Sequence, residues 1–199
     1  MAQQSYDVTL TFTEPLLGTA PLNEDVYSDF VASKAPQGEA ADEMETISLE
    51  DEIEKGTTGF HRVDGEPILY DYVIKGFFKD ACGMLRRDGE SRSSKLTAYK
   101  KVIDGMVFIA PRQIPIIMSG EMDICERPLR AQTAQGERVA LARSEQVPVA
   151  STVSFRIMTI GNVVPQTLIE EWLVYGQLRG LGQWRNSGMG RFEYEISKR

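Results

Sequence analysis

Residues 180–196 read GLGQWRNSGMGRFEYEI. Two glycine pairs, Gly180/Gly182 and Gly188/Gly190, stand five residues apart, and the second pair runs directly into the alternating segment RFEYEIS. Glycine lacks a Cβ, so its backbone reaches φ > 0 and can pass close to another chain. The segment just before, PQTLIEEWLVYGQLRG (165–180), is opened by Pro165 and carries Leu168, Trp172, Tyr175 and Leu178 at inward spacing. That pattern predicts a helix. A helix, a glycine-rich stretch and a closing strand therefore follow one another.

Working back toward the N-terminus, TVSFRIMTI (152–160) alternates Val153, Phe155, Ile157 and Thr159 and reads as a strand. VIDGMVFIAP (102–111) reads as a short apolar strand stopped by Pro111. YDYVIKGFFKDACGMLRR (70–87) places Ile74, Phe77, Phe78, Ala81 and Leu85 at helix spacing, with Asp71 as the expected N-cap and Lys75, Lys79 and Arg86 on the opposite side. YDVTLTFTEPLLG (6–18) alternates Val8, Leu10 and Phe12 and reads as a half-buried strand. Residues 112–150 read as a β-rich excursion. Stripped of insertions, the order is strand, helix, strand, strand, helix, strand, which is the α+β, ferredoxin-like (RRM-like) βαββαβ unit. The expectation is one domain over 1–199, with an insertion after the first strand at 23–56 and a β-hairpin excursion before the third.

The net charge of −7 is unevenly spread. Residues 23–56 contain eleven acidic side chains against Lys34 and Lys55. The remaining chain has 18 acidic and 20 basic residues, a balance of +2. From Lys75 to Lys101 eight bases face Asp80, Asp88 and Glu90. Whole-chain acidity therefore does not exclude a nucleic-acid partner. Nothing approaches the roughly 18 consecutive apolar residues of a membrane span. MAQQSYDVTLTF shows no secretory pattern, so a cytoplasmic protein without a membrane partner is expected. Cys82 and Cys125 have neither zinc nor disulfide spacing, and no cofactor or metal motif is visible.

Two glycine–apolar–glycine units between the second helix and the last strand resemble the glycine-rich loop of the RAMP superfamily, the RNA-binding proteins of CRISPR systems. EPILYDYVIKGFFKDACGMLRR (66–87) is similar to the segment of RAMP backbone subunits in which a Lys-Gly pair opens the first helix. RSEQVPVASTVSFRI (143–157) is similar to their approach to the third core strand. The resemblance is nearest to type III backbone-subunit-like members, as a stand-alone or mobile-element (phage) relative. One departure is that Tyr70 to Ile74 stand where the family carries small serines before its Lys-Gly pair.

The resemblance implies a protein that grips single-stranded RNA without cutting it, as a subunit of a ribonucleoprotein with copies of itself or a CRISPR-type complex. The residues expected to contact RNA are Lys75, Lys79, Arg130, Arg143, Gly180, Gly182, Trp184, Arg185, Asn186, Gly188 and Gly190. Chemically, glycine-rich backbone can cradle phosphate, Trp184 offers a face for a base or a guanidinium, and Asn186 can read a base edge or a sugar hydroxyl. The competing reading of the glycines is close packing of helix on sheet, with Trp184 plugging the core. Two other functions compete with RNA gripping. One is an acidic interaction module or inhibitor that binds a CRISPR effector or another nucleic-acid-binding partner. The other is a metal-independent endoribonuclease using the single histidine, His61.

Overall fold

The computed structural model describes residues 3–22, 57–133 and 136–199, with backbone alone over 129–140. The acidic segment 23–56 lies outside the described residues. The first strand, β1 (Gln3–Phe12), buries Tyr6, Val8, Leu10 and Phe12 on one face, as its alternation dictates. It is flanked by β11 (Thr152–Ile160) and β12 (Phe192–Lys198), both antiparallel, with Val8 opposite Phe155 and Ile196. The far side of β11 is shared by β7 (Val107–Ala110), which pairs Ile109 with Ile157, and β8 (Gln113–Ile117), which pairs Ile116 with Val153. β8 in turn pairs with β6 (Glu66–Tyr70), and β6 with β5 (His61–Val63). The sheet is therefore antiparallel throughout, with β12, β1, β11 and β7 side by side at one end.

Helices α1 (Asp71–Leu85) and α3 (Gln166–Arg179) cover the buried face. Their inward side chains meet in an aromatic cluster: Phe77 lies 5.7 Å from Phe192 and Phe78 5.2 Å from Trp172, between ring centroids. The Trp172 indole N–H is satisfied by Ser93 Oγ at 3.0 Å. Ser93 Oγ–H donates to Glu171 at 2.6 Å, so the polar end of this core residue is fully partnered. A Cβ at Gly176 would lie 2.2 Å from Phe192, so the absent side chain lets α3 sit on the two phenylalanines.

The helix expected over 70–87 is present, but Asp71 is its first residue rather than its cap. Tyr70 holds the cap position, and Asp71 Oδ1 accepts from Tyr72 N–H. In α3, Leu178 is 72% exposed rather than inward, because Leu168, Ile169, Trp172, Leu173 and Gly176 form the buried stripe. The strand expected over 102–111 is only β7, because residues 102–106 belong to a further helix, α2 (Tyr99–Met106), which packs on α1.

Residues 112–150 divide between two sheets. β8 belongs to the main sheet, whereas β9 (Asp123–Thr133) and β10 (Gly136–Val147) form a long hairpin in register from Gln146↔Asp123 to Gly136↔Thr133. β10 also pairs with β2 (Leu16–Leu17) and, in parallel, with β4 (Thr57–Gly59), which pairs with β3 (Ala20–Pro21). This second sheet roots the hairpin beside the end of β1. Among the described residues no helix is long and apolar enough to cross a membrane.

Candidate functional site

The glycine stretch leaves α3 at Gly180 and enters β12 after Gly190, and all four glycines have φ between +70° and +87°. Their neighbours explain three of them. A Cβ at Gly180 would stand 2.2 Å from Met189 O, at Gly190 2.0 Å from Leu181 O, and at Gly182 2.9 Å from Leu16 Cδ1 and Leu17 O. The loop is drawn closed by Leu181 N–H donating to Gly190 O and Gly190 N–H to Pro15 O, each at 2.8 Å. The glycines therefore admit the protein's own backbone. Gly188 differs, since a Cβ there would meet only the Arg191 guanidinium at 3.4–3.5 Å.

Trp184 does not plug the core: it is 37% exposed. Its φ of +55° is a left-handed conformation that costs an L side chain about 1–2 kcal/mol. The Arg127 guanidinium lies 4.8 Å from its ring centroid. Arg127 reaches it from β9, is only 6% exposed, and donates to Gln183 Oε1 at 2.8 Å and to Ser144 Oγ at 3.3 Å. Its Nε has no hydrogen-bond partner among the described residues. Gln183 donates in turn to Gly18 O and to Thr58 Oγ1, and Thr58 shares a 2.8 Å bond with Ser144. A polar network thus ties the glycine loop to β4 and to the base of the β9–β10 hairpin.

On the loop's other side, Arg185 Nη1 donates to Asp80 Oδ2 of α1 at 2.8 Å, with Arg179 Nε 3.7 Å from the same oxygen. Arg179 Nη1 also donates to Asn186 Oδ1. Arg191 bonds Leu178 O at 2.9 Å. Four guanidiniums, of Arg127, Arg179, Arg185 and Arg191, therefore touch this loop. Among the described residues Asp80 is the one carboxylate ion-paired to any of them.

The remaining expected contacts are scattered. Lys75 and Lys79 face α2: Lys79 pairs with Asp104 at 2.9 Å, and Lys75 donates to Asp104 O at 3.3 Å and lies over the Phe108 ring. Arg143 Nε stands 2.8 Å from Glu126 Oε1 without hydrogen-bond alignment. Arg130 pairs by backbone with Val139, and its side chain lies outside the described residues. His61 sits on β5, at the opposite end of the strand path from β12. Its ring packs edge-on to Tyr70 at 4.9 Å, and its Nε2 is 3.5 Å from Tyr72 Oη. The structure thus brings Trp184, Arg185, Asn186 and the glycines together with Arg127, which is not among the residues expected from the sequence. The β9 position opposite Ala142, inside an extended pair, gave no signal of that inward role.

Gly76 lies in the middle of α1, exposed, and a Cβ there would meet nothing within 4 Å. Gly76→Ala is accordingly expected to raise stability by about 1 kcal/mol, or roughly 2–4 °C in Tm. Thermal unfolding of the two proteins checks it.

No family model matches this chain, nor does any curated protein. Among solved structures it is similar to a chain in the cryo-EM structure of the Type III-B Cmr-beta bound to cognate target RNA. The sequence identity is 14% and the TM-score 0.59. The match covers 98% of this chain and 60% of that one, so the present chain spans less than two thirds of its neighbour. The likeness is one of fold: an antiparallel sheet with helices in a mixed α/β chain.

Proposed function

We propose that this chain is an RNA-binding protein of the RAMP type, with a ferredoxin-like core, that grips a single RNA strand as a non-catalytic subunit of a ribonucleoprotein. The core reading is supported by the neighbouring order β12–β1–β11–β7, which is fourth, first, third and second strand of a βαββαβ unit with α1 and α3 on one face. The observation that carries the function is the loop after α3. Four guanidiniums answered by one carboxylate, beside an exposed indole, suit a phosphate backbone with unpaired bases. The fold likeness to a chain of an RNA-bound CRISPR assembly points the same way. Partners would be single-stranded RNA and other subunits, copies of this chain among them.

The test is the ultraviolet absorbance of protein purified through a high-salt wash, with nuclease digestion of the extracted material. RNase-sensitive material of regular length, recovered intact after incubation with the protein, is the expected result. Protein free of nucleic acid that also fails to shift labelled RNA at low salt overturns the reading. RNA that is shortened during incubation, with His61→Ala abolishing the shortening, would instead assign cleavage to His61.

A further inference from the structure

We infer that the outer face of Trp184 is a stacking platform for one unpaired nucleobase, and that Arg127 is the positioning residue that holds it. This rests on the RNA-binding reading above. Three independent observations converge on it. The indole is held at a left-handed φ of +55° yet remains 37% exposed, so the backbone strain does not serve core packing. The ring is nevertheless fixed, because a guanidinium covers it at 4.8 Å. Arg127 is itself 94% buried and, among the described residues, has no ion-paired carboxylate and no hydrogen-bond partner for its Nε.

A buried cation without a counter-ion is costly for folding alone. Here it is held by neutral groups, Gln183 Oε1 and Ser144 Oγ, which orient it without cancelling its charge. The result is a rigid indole backed by a net positive environment, to which Arg185 and Arg179 add two charges against Asp80. An apolar protein partner would not call for that charge. A nucleobase attached to phosphates uses both parts, since the ring takes the base and the surrounding cations take the backbone.

The experiment uses the chain's two tryptophans. Trp172 is fully buried, so quenching by iodide reports Trp184. The probes are a short oligoadenylate RNA and an abasic oligomer of equal length, which keeps the phosphates and lacks the bases. Oligoadenylate should quench the Trp184 emission, and the abasic oligomer should bind without doing so. Trp184→Ala should lose about tenfold in affinity for oligoadenylate and little for the abasic strand. Arg127→Met should open Trp184 to iodide and lose part of the same affinity, with partial recovery in Arg127→Lys.

If Trp184→Ala binds oligoadenylate as wild type does while Arg185→Glu does not, the platform is overturned and RNA binding stands. If neither oligomer binds the wild-type protein, both fall. Unchanged iodide access in Arg127→Met removes the positioning role. Should that variant not fold, the Trp184→Ala comparison still decides the platform.

Discussion

Gly190→Ala is expected to lower stability by about 4 kcal/mol or more, a large part of the 5–15 kcal/mol that holds a typical domain folded. The left-handed backbone at φ +70° contributes about 1–2 kcal/mol of that. The larger share is steric. The added methyl would stand 2.0 Å from Leu181 O, and this atom is backbone in a loop whose two ends are tied by the Leu181–Gly190 and Gly190–Pro15 hydrogen bonds. Moving the carbonyl aside would break those bonds and shift the start of β12 away from β1. Thermal unfolding should show a fall of roughly 10 °C or more for a chain of this size. Gly188→Ala, with φ +87° but only a flexible guanidinium nearby, should cost about 1 kcal/mol. Equal losses at the two positions would mean that the loop is not closed on itself as described.

The second large effect concerns binding. Arg185→Glu removes one cation from the loop and sets a carboxylate beside Asp80, which Arg185 now holds at 2.8 Å. Affinity for single-stranded RNA should fall at least about tenfold at low salt, with a shallower dependence on salt concentration. Lys79→Glu is the informative companion, because Lys79 is already paired with Asp104 on the α2 side of α1. It should have the smaller effect, although both residues belong to the same set of basic side chains in the sequence. A filter-binding salt titration on both variants separates a loop-centred interface from a basic-stripe interface. A larger loss for Lys79→Glu would move the interface to α1 and α2.

Much of the fold was legible where one face is buried and the other wet. Val8, Leu10 and Phe12, and likewise Val153, Phe155, Ile157 and Thr159, were read as alternating and are buried. Leu178 was misplaced for a physical reason: α3 is apolar around much of its circumference, with Val174 and Leu178 outside, so spacing alone cannot choose the inner stripe. The missing side chain of Gly176 chooses it instead, by admitting Phe77 and Phe192. α2 was missed, and its residues 102–106 were read as strand, because YKKVIDGM is short, charged and glycine-containing, and starts after Ala98 in a left-handed conformation. The β5–β6 hairpin had a signal that went unread. Asp64 and Gly65 both have φ > 0, and Asp-Gly is the pair that a two-residue hairpin turn favours.

In the candidate site, the glycine spacing was legible as a local feature, whereas Trp184 stood open between a stacking face and a plug in the core until its 37% exposure decided it. What the sequence could not convey was which partner lies against them. Leu16, Asp80 and Arg127 are brought to the loop by three different elements, β2, α1 and β9. Neutralisation of Arg185 by Asp80 lies across 105 residues of chain, and the stacking of Arg127 on Trp184 depends on where the β9–β10 hairpin is rooted.

The pairing of β3 with β4 has a consequence for the charge of this protein. Ala20 faces Gly59 and Pro21 faces Thr58, and Gly18 meets Gly59 so closely that a Cβ would lie 2.3 Å away. The chain is thereby fastened to itself on both sides of the segment 23–56. That segment also sets the sign of the whole molecule, which would pass from −7 to +2 without it. The clasp thus stands where the sign of the molecule is decided: between one pair of fastened strands the chain passes from a body of +2 to a whole of −7.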